Sequence, residues 1–164
     1  MEKSPVSVEQ RNLKIVKSYL KAFGEGKPAT MSKYLADDAL FEIPGPKSSA
    51  YSQHIRGKKN IYQFYVRREK TRSKFISTTR VIPRFTVSKN NVIAEWIVEG
   101  VDKIEKREFS SSGTNHFVLG NDGKIKSVRI FINAPLSPMV KSLDEDRLLV
   151  SDQGRLALMA WSVV

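Results

Sequence analysis

The sequence predicts an α+β fold, in which three N-terminal helices pack on one face of a curved, mainly antiparallel sheet. Up to about residue 75, most periodic segments have the apolar spacing of amphipathic helices, and beyond it they alternate with period two, as strands do. The pair Asp122-Gly123 separates the last two alternating segments and is typical of a hairpin turn. Helices followed by consecutive antiparallel strands indicate an α+β domain.

The first helix has clear signals at both ends. Ser7 and Gln10 have the spacing of a capping box, which satisfies backbone N–H groups at a helix start. The sequence Gly24-Glu25-Gly26-Lys27-Pro28 is expected to end the helix. Between these ends, the apolar side chains that recur at helical spacing are Leu13, Val16, Leu20 and Phe23.

The other elements are predicted from their periodicity and from the breakers between them. A second helix is expected at residues 30–36 and a third at 58–72, which buries Ile61 with Phe64 or Tyr65. The remaining predicted segments are a brief strand at 39–43, a polar loop at 47–53, and strands at 75–86, 91–101, 106–119 and 125–133. Residues 1–6 are expected to be disordered, 7–134 to form the domain, and the partly apolar 135–164 to pack on it or on a partner subunit.

Composition excludes several kinds of site. The chain has 164 residues, which suits one domain, and it has no cysteine, so disulfides, thiolate catalysis and cysteine-based zinc sites are excluded. Its only histidines are His54 and His116, which excludes a multi-histidine metal centre. We therefore expect neither a metal nor a cofactor.

The charge favours anionic partners. Lys and Arg number 28 against 17 Asp and Glu, for a net charge of +11. Such an excess suits an acidic carrier protein or an anionic small-molecule substrate. Nucleic acid is disfavoured because the basic residues are spread over the whole chain and not gathered with exposed aromatics. The N-terminus has no apolar stretch of a signal peptide and no segment is long enough to span a bilayer, so we expect a cytoplasmic protein without membrane contact.

Four motifs carry a resemblance to a known family. They are residues 19–26 at the end of the first helix, 33–39 before the first strand, 55–61 at the start of the third helix, and 116–125 around the final hairpin. Their order resembles the NTF2-like superfamily, which includes ketosteroid isomerase and the SnoaL-type polyketide cyclases. Segments 91–100 and 122–133 are most similar to phenazine biosynthesis A/B-type proteins and SnoaL-like cyclases. The resemblance implies a cone-shaped fold with a central pocket, and a homodimer.

The resemblance also implies a site. His116 falls at the catalytic histidine position of the cyclases, whereas Ile130 stands where they carry an acid and Phe64 where the A/B-type proteins carry a second histidine. Glu95 is the candidate that replaces the missing acid, so His116 and Glu95 are the predicted catalytic residues. The predicted substrate-binding residues are Tyr19, Tyr34, Tyr65, Trp96, Thr114 and Ile130.

Each titratable candidate has an alternative interpretation. His116 shares a strand face with Thr114, and it is either a proton carrier or a hydrogen-bonded structural histidine. Glu95 and Glu99 lie on one face of the predicted strand at 91–101. If that face is concave, one or both carboxylates line the pocket. If it is convex, both face solvent and Trp96 lines the pocket. His54 is either a lid residue or a solvated loop residue, and alternation places Arg129 away from the pocket.

Two functions follow from these residues. The first is a cofactor-free biosynthetic enzyme, of the cyclase, isomerase, dehydratase or condensing type. It would shape a largely apolar, anionic intermediate in a buried pocket, with His116 transferring a proton. The second is a non-catalytic ligand-binding or dimeric adaptor module, which the absence of an acid at Ile130 favours.

Overall fold

Helices occupy one side of a single twisted sheet, as the sequence predicts. The structure is a computed structural model that describes residues 6–45, 53–75, 80–81, 83–104 and 106–132. Its elements in chain order are α1 (Val8–Gly24), α2 (Pro28–Ser32), β1 (Leu35–Ile43), β2 (Gln53–Arg56), α3 (Lys58–Phe75), β3 (Arg80–Val81), β4 (Arg84–Ser88), β5 (Asn91–Val101), β6 (Glu108–Leu119) and β7 (Ile125–Ile132). The expected C-terminal extension and all but Val6 of the expected disordered N-terminus lie outside these residues.

Helix α1 begins as its sequence signals predict. The Ser7 hydroxyl accepts a hydrogen bond from the backbone N–H of Gln10, at 3.2 Å. The Gln10 side chain accepts one from the backbone N–H of Ser7, at 3.3 Å, so the capping box is complete. The buried stripe of α1 contains Val16, Leu20 and Phe23, with Tyr19 among them.

The sheet has seven strands in the order β2-β1-β7-β6-β5-β3, and β4 also pairs with β5. The β1–β7 pair is parallel and all the others are antiparallel. Strands β5 and β6 pair along their whole length, from Asn91 opposite Val118 to Val101 opposite Glu108. The turn to β7 has Gly123 at φ 75°, a conformation that favours glycine.

Three regions between residues 28 and 88 differ from what the sequence predicts. Helix α2 begins at Pro28, whose fixed φ and missing N–H suit a first helical turn, and so β1 already begins at Leu35. Residues 53–56, expected to belong to a polar loop and the stretch after it, form β2 along β1. The strand expected at 75–86 is instead the end of α3 followed by β3 and β4, and Pro83, which cannot donate to a strand ladder, lies between these two strands.

The inner face of the sheet, which the helices cover, is almost wholly apolar. Tyr19 of α1 packs edge-to-face on Phe117 of β6, with ring centroids 5.6 Å apart. Tyr65 of α3 packs in the same way on Phe41 of β1, at 5.7 Å. The inner-face residues of the three central strands are Val92, Ala94, Trp96 and Val98 of β5, Gly113, Asn115, Phe117 and Leu119 of β6, and Ile125, Val128 and Ile130 of β7.

The outer face carries the charges. Arg129 of β7 contacts Glu42 of β1, with 3.0 Å between Nε and Oε2. Glu42 also pairs with His54 of β2, with 2.9 Å between Oε1 and Nδ1. Register places His116 directly opposite Arg129, so these polar side chains form a row across the face that points away from the helices.

Candidate functional site

Two tyrosines meet between the helices and the sheet. The hydroxyls of Tyr19 on α1 and Tyr65 on α3 form a short hydrogen bond, in which either oxygen can be the donor. Both side chains are buried. Tyr65 follows Ile61 by four residues, so the two share the face of α3 that packs on the sheet. Aromatic rings surround the pair, with Phe23 and Phe64 each centred 5.6 Å from the Tyr65 ring.

The hydroxyl pair stays neutral far above physiological pH. Burial raises the pKa of Tyr19 well above its ordinary value, because an interior phenolate would lose its hydration. Burial raises the pKa of Tyr65 in the same way. The pair is therefore a source of hydrogen-bond donors at neutral pH and not a base.

A buried cation lies beside this pair. The side chain of Arg68, three residues after Tyr65 on α3, is 3% exposed. Its guanidinium stacks over the ring of Phe23, with 4.0 Å from Cζ to the ring centroid, and lies 3.3 Å from the Glu69 carboxylate. The positive charge of Arg68 lowers the pKa of both tyrosines against the larger effect of burial. Arg68 thus adds positive potential where the hydroxyls meet.

A second polar pair lies on the inner face of the sheet. The Trp96 indole donates a hydrogen bond from Nε1 to Oδ1 of Asn115, at 3.0 Å, and both side chains are buried. Gly113 makes room for this indole, because a Cβ there would overlap the Trp96 ring and lie 2.5 Å from the carbonyl oxygen of Phe131. The bond fixes the indole and occupies its single donor.

Phe117 joins the two polar pairs. It packs on Tyr19 and lies two residues after Asn115 on the same strand face. Two residues along a strand span about 7 Å, so Asn115 lies near the Phe117 ring on which Tyr19 packs. The buried side of the sheet thus carries two pairs of neutral polar groups among aromatic and aliphatic side chains.

The two predicted catalytic residues lie on the opposite face. Glu95 is exposed and its neighbour Trp96 is buried, which confirms the convex alternative for Glu95 and Glu99. The expectation that His116 faces the interior is wrong. Its neighbours Asn115 and Phe117 are buried, so the side chain of His116 points to the opposite face of β6. The His116 ring instead contacts an exposed side chain of the same outer face, with 3.0 Å between Nε2 and Oδ1 of Asn91.

Other predicted residues divide between the two faces. Thr114 shares the outer face with His116, so it cannot line the interior. His54 lies in β2 and not in a loop, and it pairs with Glu42. Arg129 points outward as expected. Among the predicted substrate-binding residues, those that are buried in the interior are Tyr19, Tyr65, Trp96 and Ile130, whereas Tyr34 is partly buried and packs against the core.

Sequence reasoning missed Asn115 and Arg68. Asn115 lies between two residues that the sequence analysis favoured, and the signal for it is the pair of large apolar residues Phe117 and Leu119, which share its face. Arg68 sits in a strongly basic segment, and only its seven-residue distance from Ile61 indicates the buried face of α3. Asp102 is buried as well, but its Oδ1 accepts a hydrogen bond from the N–H of Ile104 within the β5–β6 turn, which is a structural role.

A family model decides the family. It describes the SnoaL-like domain, and it matches residues 16–128, which include every element from the middle of α1 into β7. The chain belongs to the SnoaL-like domain family. A search of curated proteins found no match.

Solved structures with the same fold include characterised and uncharacterised proteins. An NTF2-like protein from Burkholderia xenovorans is 22% identical, with a TM-score of 0.60 over 78% of this chain and 92% of that one. An epoxide hydrolase/cyclase-like enzyme with a role in pyran ring formation in the polyether salinomycin is 18% identical, with a TM-score of 0.60 over 76% and 92%. An LEH-like epoxide hydrolase from M. tuberculosis is 16% identical, with a TM-score of 0.60 over 77% and 86%. At these identities the likeness shows the NTF2-like fold.

Within the described ranges, no group of three or more His, Asp or Glu side chains could hold a metal ion. None of the helices that the structure describes is long and apolar enough to cross a membrane.

Proposed function

We propose that the protein is a cofactor-free enzyme of the cyclase or isomerase type, acting on a small, largely apolar molecule held between the helices and the inner face of the sheet. In the proposed reaction, negative charge develops on a substrate oxygen, as in the alkoxide of an opening epoxide, and the substrate hydroxyl that attacks the epoxide carbon gives up the proton that this oxygen takes. The single observation that carries the proposal is the buried hydroxyl pair of Tyr19 and Tyr65 beside Arg68.

The pair supplies what such a reaction needs. A hydroxyl that stays protonated donates a hydrogen bond to a developing oxyanion, and a donor fixed in a dry interior stabilises that charge more than water does. The nearby Arg68 guanidinium is positively charged, so its potential also favours negative charge on the substrate oxygen. The aromatic rings around Tyr65 favour an apolar substrate skeleton and exclude water.

Proton transfer by a carboxylate or imidazole has no support on the inner face of the central strands. None of the inner-face residues described there, from Val92 to Val98, from Gly113 to Leu119 and from Ile125 to Ile130, is acidic or a histidine. In this proposal, hydrogen bonding and the shape of the site direct a reaction that the substrate is already prone to undergo. His116 has no part in it.

Relatives support the same class of chemistry. The SnoaL-like domain family matches most of the chain, and one neighbour in structure acts in pyran ring formation. Epoxide opening places negative charge on the oxygen that leaves the attacked carbon, which is the event that the tyrosine pair is suited to stabilise.

Binding of 2-naphthol tests the hydroxyl pair, because its aromatic oxygen imitates the oxyanion and its fluorescence reports binding. We expect the wild-type protein to bind it, and Tyr19→Phe or Tyr65→Phe to weaken binding about tenfold, since a hydrogen bond to the naphthol oxygen is lost. Tyr62→Phe is the matched control, because Tyr62 is an exposed tyrosine of the same helix. Equal binding by all four proteins would contradict the proposal.

A ligand carrier is the second candidate, and the apolar Ile130 at the position of the expected acid favours it. Turnover separates the two functions. An epoxy alcohol isomerises to a cyclic ether when its hydroxyl oxygen attacks an epoxide carbon: the bond from that carbon to the epoxide oxygen breaks, and the proton of the attacking hydroxyl ends on the released oxygen. Gas chromatography of the product gives the rate. We expect the wild-type protein to accelerate this conversion and Tyr19→Phe to lower kcat by about 10²-fold. Binding of naphthol without acceleration of this ring closure would identify a carrier.

A further inference from the structure

The solvent side of α1, opposite to Tyr19, bears a shallow groove whose described lining residues all lie on this one helix. Its volume is about 350 Å³, and it is lined by Gln10, Leu13, Lys14, Lys17, Ser18 and Lys21. Three of these six residues are lysines and none is acidic. The groove is therefore a separate feature from the interior site, although the same helix contributes to both.

The three lysines form one stripe. Lys14, Lys17 and Lys21 have helical spacings of three and four residues and are all exposed, and a rise of 1.5 Å per residue gives the stripe a length of about 10 Å. Lys17 is held in place, since its Nζ lies 5.3 Å from the ring centroid of Phe85 on β4. The groove thus offers positioned charge.

Within the described part of the chain, the acidic residues beside this stripe lie at its two ends. Glu25 is 4.0 Å from Lys21, but its closer partner is Lys27, at 2.6 Å. Glu9, at the other end, accepts a hydrogen bond from the backbone N–H of Lys89. Lys14 has no ion pair with any residue that the structure describes. Like charges at these spacings destabilise a helix, so an acidic partner would relieve a repulsion that the free protein carries.

We propose that this groove docks an acidic amphipathic helix of a protein partner. Acidic side chains spaced three and four residues apart on such a helix match the lysine stripe in period and in sign. Leu13 and the methylene stems of the lysines offer apolar contact to the apolar side chains of the partner helix. The inference does not depend on the proposed chemistry, because no interior residue takes part.

The observations favour a protein over nucleic acid. Among the residues that the structure describes, those that line the groove include no aromatic side chain on which a base could stack. Arg11, the other cation of this part of α1, is already engaged, with its Nη1 donating to the carbonyl oxygen of Asn121 at 2.9 Å. A single stripe of lysines is narrower than the basic face that a duplex requires.

A labelled model peptide tests the docking directly. The probe is a helical peptide with Glu along one stripe and Leu along the next, and a scrambled peptide of equal composition is its control. Fluorescence anisotropy should give saturable binding of the first peptide to the full chain, weakened by added salt. Lys14→Glu with Lys17→Glu should weaken binding about tenfold or more, because two attractive charges become repulsive.

A variant of equal net charge makes the result specific. Lys33→Glu with Lys59→Glu reverses two exposed lysines outside the groove and should leave peptide binding unchanged, and circular dichroism checks that both variants keep their helices. Equal weakening by both variants would reduce the effect to net charge and overturn the proposal. Equal binding of the scrambled peptide, or tighter binding of a DNA duplex through the same two lysines, would overturn it as well.

Discussion

The two faces of strands β5, β6 and β7 differ in chemistry although they alternate residue by residue. On the inner face of β6, Asn115 and Phe117 are buried, and Asn115 holds the Trp96 indole. On the outer face of the same strand, His116 contacts an exposed asparagine and lies opposite Arg129 in register. The outer face thus carries charged side chains, whereas the inner face meets uncharged hydrogen-bonding groups and the guanidinium of Arg68 from α3.

This difference teaches that one residue of register decides which chemistry a strand presents. Successive side chains of a strand point to opposite faces, so a shift by one residue exchanges His116 for Asn115. The interior site then depends on neutral donors and not on titrating groups. Substitutions of neighbouring residues that face opposite ways should therefore differ in their effect on stability.

Removing a ring from each face gives the largest contrast. Phe117→Ala should lower the free energy of unfolding by about 3–5 kcal/mol, because it leaves a cavity under Tyr19. His116→Ala should lower it by about 1 kcal/mol or less, because only an exposed hydrogen bond is lost. Urea unfolding measures both, and equal losses would show that the faces are not distinct.

Replacing a polar group on each face should give the next largest difference in unfolding free energy. Asn115→Leu leaves the buried Trp96 N–H without its acceptor and should cost about 1–3 kcal/mol of unfolding free energy. Glu95→Gln on the neighbouring outer position should change it by about 0.5 kcal/mol or less. Chemical unfolding followed by tryptophan fluorescence gives both values. A neutral Asn115→Leu would refute the proposed importance of this hydrogen bond.

The buried tyrosines should make the fold sensitive to alkali. Their pKa values are raised in the folded state, so above the ordinary tyrosine value of about 10 the unfolded chain loses protons that the folded chain keeps. Stability due to this pair is therefore complete below pH 10 and falls as pH rises further, by about 1.4 kcal/mol per unit for each tyrosine. Unfolding curves above pH 10 should show a shallower fall for Tyr19→Phe with Tyr65→Phe, and an unchanged one for Tyr62→Phe.

The outer ion pairs should contribute least. Glu42→Gln removes the contacts with Arg129 and His54, but both partners are largely exposed, so the loss should stay below about 1 kcal/mol. About 1 M salt should abolish the difference from wild type, since it screens exposed charges. A loss that is large and independent of salt would mean that this face is buried in the native assembly.

Local signals predicted much of the fold. The capping box of α1 and the turn at Gly123 are encoded by a few neighbouring residues, and β5 has the predicted bounds. Strand β2 escaped prediction because its four residues depend on pairing with β1 and not on their own pattern. Helix α3 continues to Phe75, three residues past its predicted end, because no glycine or proline follows residue 72 to stop it there.

The site was harder to predict than the fold. Periodicity tells which residues share a face, but not which face the helices cover. On β6, one face carries Thr114, His116 and Val118, and the other carries Asn115 and Phe117. Both sets mix polar and apolar residues, so only tertiary packing separates them. Tyr19 and Tyr65 were predicted to line a pocket, Tyr19 because its helix borders the pocket in similar proteins, but their hydroxyl contact joins helices that are far apart in sequence and had no signal of its own.

The most direct test of this account compares Tyr19→Phe with His116→Ala in binding of 2-naphthol. Each variant removes one polar group, from the inner and the outer face respectively. If the interior tyrosine pair is the site, Tyr19→Phe weakens binding about tenfold and His116→Ala binds as wild type does. Loss of binding in His116→Ala, with Tyr19→Phe unaffected, would contradict the account.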